Sequence, residues 1–175
     1  MRFVAALVTA VCFAGCVGSL TDAGGGPGAT TDGGAHGPDA KQVDVKGILR
    51  TFSGCMTLTN FQAAKMTTAW STLTTNDGKQ CMNCHDAGEY NFIASDDETQ
   101  YFSGLSQHSY FMLMYFSVDP ATEKVIVNTQ SFKGANSTVG HPKFNADANQ
   151  GMTALQTFYT ASSGNTACGA PTMID

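Results

Sequence analysis

Cys81-Met82-Asn83-Cys84-His85 sets two thiols three residues apart and puts an imidazole directly behind the second. At that spacing two cysteines can add to the two vinyl groups of one haem while the next side chain reaches its iron. With 6 Cys and 4 His in 175 residues, chance composition gives roughly 0.005 such matches, so a spurious motif is a weak competitor. Other uses of a Cys-x-x-Cys pair fit less well. A structural zinc site needs a second pair of ligands, and none follows at a suitable spacing. A thioredoxin-type redox pair needs a βαβ setting, whereas the flanks here are helical or polar. The motif therefore predicts one covalent haem c on Cys81 and Cys84, with His85 as the proximal iron ligand.

Upstream, Met1-Arg2 and the apolar residues 3–14 have the charged start and short hydrophobic middle of a secretory signal, too short to span a bilayer. Phe13-Ala14-Gly15-Cys16 follows it and resembles the bacterial lipobox, in which small residues precede a cysteine that takes lipid and becomes the mature N-terminus. Phe13 stands where that box usually has Leu, and Cys12 fits less well because Val11 is bulky. The expectation is a signal peptide over residues 1–16 with Cys16 lipidated. The mature protein would be exported and lipid-anchored in the bacterial cell envelope, facing the periplasm or the cell surface.

Residues 17–46 are rich in Gly, Ala, Asp and Thr with almost nothing apolar to bury, and read as a flexible tether that includes a solvated His36. Residues 47–175 then form one domain. With Cys12 lost in the signal, Cys16 on lipid and Cys81 and Cys84 on haem, Cys55 and Cys168 are left, and an oxidising compartment predicts a disulfide between them. Of 9 Lys and Arg, Arg2 leaves with the signal, so 8 basic side chains face 14 acidic ones. This balance argues against nucleic acid and anionic lipid as partners, and for a redox protein with a basic docking patch.

Helical spacing organises most of the domain. Thr59-Asn60-Phe61-Gln62 has the form of a capping box, and Met66, Ala69, Trp70 and Leu73 share one face, which predicts a helix over 57–74. The haem motif follows on a short helical turn that stops near Gly88. Ser95-Asp96-Asp97-Glu98 is a second capping box, and Phe102, Leu105, Ser109, Met112 and Phe116 continue it as a helix with a break between Gly104 and Ser109. Alternatively, residues 110–118 and 124–128 pair as a β-hairpin across Asp119-Pro120. Asn145 and Asp147 start a last helix over 146–161, with Ala148, Met152, Leu155 and Tyr159 facing inward.

With the motif, this helix order and Gly140-His141-Pro142 ahead of the last helix, residues 57–162 resemble a class I monohaem cytochrome c. The resemblance implies an all-α domain wrapped around the haem, with a small β-hairpin insertion as an option, and first and last helices that cross beside the haem edge. It also implies a distal ligand on the loop leading into the last helix. That loop usually carries Met-Pro, and here His141 holds the place, stiffened by Pro142. His141 is the favoured distal ligand, with Met112, Met114, His108 and Met152 as alternatives. Two imidazoles would set a lower potential than His/Met ligation. Trp70, Tyr90, Phe92, Phe144 and Phe158 are candidates for the crevice walls, although each also suits an ordinary core. The implied function is electron transfer by a carrier that is not itself a catalyst. The alternatives are a haem-based gas or redox sensor, an electron-transfer subunit of a larger oxidoreductase, or an interaction protein whose Cys-x-x-Cys binds zinc or forms a disulfide.

Overall fold

Residues 42–175 are described in the computed structural model of the protein. The signal, Cys16 and nearly all of the tether lie outside them. The described residues are mainly helical, with one two-stranded antiparallel hairpin. No helix among them is long and apolar enough to cross a membrane.

Helix α1 (Val45–Ser53) begins inside the stretch assigned to the tether, capped by Asp44, whose carboxylate accepts from the Gly47 N–H. Where one helix is expected over 57–74 there are two, α2 (Leu58–Ala63) and α3 (Met66–Ser71). The cap is Thr57 rather than Thr59. Phe61 and Met66 are both fully buried, yet five positions along one helix would turn them about 140° apart. The chain solves this at Lys65, whose φ of 58° breaks the helix and returns Met66 and Trp70 to the inner face.

Both readings of residues 95–128 hold in part. Helix α4 is the motif turn itself (Met82–His85). Helix α5 (Glu98–Gln107) is capped by Asp97, which accepts from the Thr99 and Gln100 N–H groups. An extended His108 separates it from α6 (Ser109–Tyr115). Strands β1 (Phe116–Asp119) and β2 (Lys124–Val127) then pair with Phe116 opposite Val127 and Asp119 opposite Lys124. An unbroken helix would place His108 in the middle of the stripe formed by Tyr101, Leu105, Met112 and Tyr115, all fully buried. The break instead lets its ring bond the Asp175 carboxylate at 2.9 Å.

Helix α7 (Thr129–Ser137) has no counterpart in the sequence reading; Asn128 caps it. The last helix, α8 (Gln150–Ser163), starts four residues later than expected because Asn149 is its cap. Asn145 instead accepts from the Asp147 and Ala148 N–H groups in the preceding turn. Its buried face is Gly151, Ala154, Leu155, Phe158 and Ser162, so Met152 and Tyr159 are only half-buried. Helix α8 packs on α2, α3 and β2. Phe61 is held edge-on by Tyr101, Phe102 and Phe158 at 5.0, 5.5 and 5.4 Å, which joins α2, α5 and α8.

Cys55 and Cys168 are disulfide-bonded, closing a separation of 113 residues. Beyond the bond, residues 169–175 run over the ends of α1 and α5. Gly169 donates to the Gly54 carbonyl at 2.8 Å, and the N–H groups of Thr172 and Met173 both reach Ser53 Oγ at 3.0 Å. Asp175 ends this strap as the cap that α6 lacks in its own sequence, accepting from the Ser109 N–H at 2.6 Å. That bond, reinforced by His108, holds the Asp175 carboxyl below its ordinary value of 3.8. A carboxylate depressed in the folded state stabilises above its unfolded pKa, and the gain is lost as pH falls through the native value. Asp175→Ala should therefore cost about 1 kcal/mol at pH 7. Urea unfolding at pH 7 and pH 3 should show the gap from wild type narrowing in acid; an equal gap at both would contradict this role.

Candidate functional site

The motif is presented by a tightly bonded turn. Cys81 N–H donates to the Leu73 carbonyl at 3.0 Å, fixing where α4 leaves the end of α3. After His85 the chain turns sharply at Gly88, where φ is 92° and a Cβ would lie 2.2 Å from Phe111 Cζ, so only glycine fits. Tyr90 and Asn91 also take positive φ, 59° and 61°. This doubled turn carries the Glu89 carbonyl back beneath the motif, and His85 Nδ1 bonds it at 2.8 Å. A carbonyl oxygen can only accept, so Nδ1 carries the proton and Nε2 keeps a free lone pair. Burial, opposed by that carbonyl and assisted by His141 facing it, holds the imidazole below its ordinary value, so the ring is neutral at pH 7. Cys81 and Cys84 are free thiols. Burial pushes the Cys81 thiol up to about 11, while Cys84 is exposed.

Facing the motif is the loop between α7 and α8. Gly140 has φ of 81° and lets the loop turn so that His141 faces His85; the two ring centroids lie 6.3 Å apart with planes inclined by 35°. His141 Nδ1 donates to the Pro142 carbonyl at 2.8 Å, so here too Nε2 is the free nitrogen. Two imidazoles flanking one metal would stand about 6 Å apart, given bonds of about 2 Å each and the radii of the rings. A ring N–H spent on a backbone carbonyl is also the usual outer support of a metal-bound histidine.

The two rings border a cavity of about 670 Å³, within the range of about 300–1,000 Å³ typical of cofactor sites. Cys81, Cys84, His85 and His141 all line it. Trp70, Tyr90, Phe92 and Phe144 line it as well, and Phe132 of α7 completes the apolar wall by stacking on Trp70 at 5.0 Å. Phe158 does not line it. Its side of α8 turns toward Phe61 and Phe116, so it belongs to the core. Among the alternative distal donors, Met114 lines the cavity. Met112 is buried in the core away from it, His108 is occupied by Asp175, and Met152 lies in a shallow hollow on the outer side of α8.

Sequence reasoning missed the wall built by α7, where Ser131, Phe132, Ala135 and Thr138 face the cavity. The available signal was Asn128 as a cap, with Phe132 and Ala135 three residues apart.

Two thiols and two imidazoles on one cavity are a donor set that a covalently held haem would fit. Among the described residues no three His, Cys, Asp or Glu side chains gather as a metal site. Two opposed imidazoles would leave the remaining positions on an iron to a planar ligand, and the adjacent thiols could anchor it. The Trp70 N–H is buried with no hydrogen-bond partner among the described residues. Such an orphan costs about 1–3 kcal/mol, a cost that an acceptor on a bound group would relieve. No protein-family model, curated protein or solved structure matches this chain, so kinship contributes nothing to what the site is taken to do.

Proposed function

We propose that this chain is a single-haem c-type cytochrome of class I type that transfers electrons at the bacterial cell envelope. Support comes above all from one observation: His85 and His141 face each other at 6.3 Å across an apolar cavity, each with Nδ1 spent on a carbonyl, beside two free thiols. Haem held there would supply reversible one-electron chemistry. The residues of the chain do the rest. Cys81 and Cys84 would anchor the group, His85 and His141 would ligate its iron, and Trp70, Phe92, Phe132 and Phe144 would give its ring apolar walls. Two imidazoles favour a lower potential than His/Met ligation, and burial tunes it further.

Electron transfer needs no substrate pocket beyond the one that would hold the haem. A gas sensor needs an open or easily displaced axial position, and the His141 ring facing His85, with its Nε2 free, argues against one. The remaining parts of the proposal rest on the sequence: export, lipid on Cys16, a tether that lets the domain reach its partners, and a basic redox protein as the partner of this acidic chain.

His141→Ala tests the axial pair. The haem-loaded variant should lose its low-spin spectrum at neutral pH, bind carbon monoxide rapidly when reduced, and regain a low-spin spectrum with added imidazole. An unchanged low-spin spectrum would assign the distal position to another side chain, with Met114 first in line by position.

A further inference from the structure

We propose that Asn136 is a positioning residue for the distal imidazole: it latches the strap of residues 138–143 and so holds His141 facing His85. The inference rests on the proposed function and concerns how the site is kept six-coordinate.

The strap leaves the end of α7 and returns at Phe144. Asn136, half-buried in the last turn of α7, bonds Phe144 twice: its Nδ2 donates to the Phe144 carbonyl at 2.6 Å and its Oδ1 accepts the Phe144 N–H at 2.9 Å. One amide side chain thus fixes both polar groups of the residue at which the strap ends. The Phe144 ring is buried on the cavity wall, so the strap's return is held by packing as well as by these two bonds.

Other contacts close the strap on itself or on its flanks. Lys143 Nζ donates to the Asn136 and Thr138 carbonyls at 2.6 and 3.0 Å, covering the open end of α7. The Asn76 N–H reaches the Lys143 carbonyl at 2.6 Å and ties the strap to the turn that precedes the motif. His141 Nδ1 bonds its own neighbour Pro142, which orients the ring within the strap and cannot hold the strap in place. Val139 within the strap is 99% exposed, so its side chain adds no packing that would hold the strap. Besides Lys143 Nζ on the Asn136 carbonyl, the side-chain bonds that fix the strap's far end to the body of the protein are the two of Asn136, which alone hold Phe144 at both its N–H and its carbonyl.

A distal imidazole on a latched strap would resist displacement, and loosening Asn136 should open that position without touching either histidine. The experiment compares haem-loaded wild type, Asn136→Ala and Asn136→Asp. The aspartate keeps an acceptor for the Phe144 N–H and removes the donor to its carbonyl. Reduced Asn136→Ala should bind carbon monoxide at least about tenfold faster than wild type, the factor that two lost hydrogen bonds carry. Its oxidised form should show a high-spin fraction that added imidazole converts back to low-spin, with Asn136→Asp intermediate. Rescue by imidazole separates positioning from general weakening of the fold, which imidazole would not repair. If the alanine variant does not accumulate, the aspartate variant decides by the same readouts. Variants as low-spin and as slow toward carbon monoxide as wild type would overturn the latch while leaving the proposed function standing. Wild type without haem, or without imidazole on both sides of its iron, would remove the function and the latch together.

Discussion

A chain in which Cys81 and Cys84 are both alanine is expected to carry no covalently bound haem after export, an all-or-none loss that denaturing acid extraction reads directly. Both thiols line the same cavity as His85 and His141, and neither has a disulfide partner among the described residues. Burial keeps Cys81 protonated at neutral pH, so the free thiol is a poor nucleophile and its addition should depend on maturation machinery rather than proceed unaided. The double variant should still fold: Cys81 packs against the edge of the core, but alanine keeps its Cβ, and the ring contacts that join α2, α5 and α8 are made by Phe61, Tyr101, Phe102 and Phe158. Its His85 and His141 could still bind haem reversibly, so the expected outcome is colour that extracts completely. Haem surviving extraction from the double variant would show that the attachment lies elsewhere.

Removing the disulfide should have the largest effect on stability. Cys55 and Cys168 close a separation of 113 residues, for which constraint of the unfolded chain predicts up to about 4–5 kcal/mol and often less in practice. The bond joins the α1–α2 junction to the segment after α8, which then lies against Ser53 and Gly54. A Cβ on Gly54 would come within 2.6 Å of the Gly169 carbonyl, so the two backbones meet too closely there for any larger residue. Cys55→Ser with Cys168→Ser should lower the urea midpoint by an amount equal to several kcal/mol and loosen residues 169–175 first. A loss below about 1 kcal/mol, within the range of an ordinary point substitution, would mean that the strap's hydrogen bonds hold the ends without it.

The residues of the cavity that lie close together along the chain were legible in the sequence. Cys81, Cys84 and His85 form a local constellation, and Pro142 beside His141 marks a stiffened loop. The structure brings His85 and His141 face to face. The Cys55–Cys168 pair was reached by elimination and is present. What failed was decided by packing between distant residues. Asn145 and Asn149 are equally good caps in sequence. Helix α8 starts at the second, where Gly151 fits against Trp70 and a Cβ would sit 2.8 Å from the indole. The break at Lys65 comes from the need to bury both Phe61 and Met66, which no local preference reveals. Helix α7 escaped notice because only Phe132 of its nine residues is buried, and Gly134 weakens its pattern. Its inner face borders the cavity, so the small Ser131 and Ala135 stand where a core helix would carry larger side chains. Phe158 failed for the opposite reason: it faces inward as expected, but toward the core.

The most direct test is the absorption spectrum of the oxidised mature protein, expressed with haem-maturation machinery and recorded from the Soret region into the near infrared. A single low-spin haem with the ligand band of two imidazoles is the expected result. A colourless protein, or a haem showing the methionine band, would contradict the account.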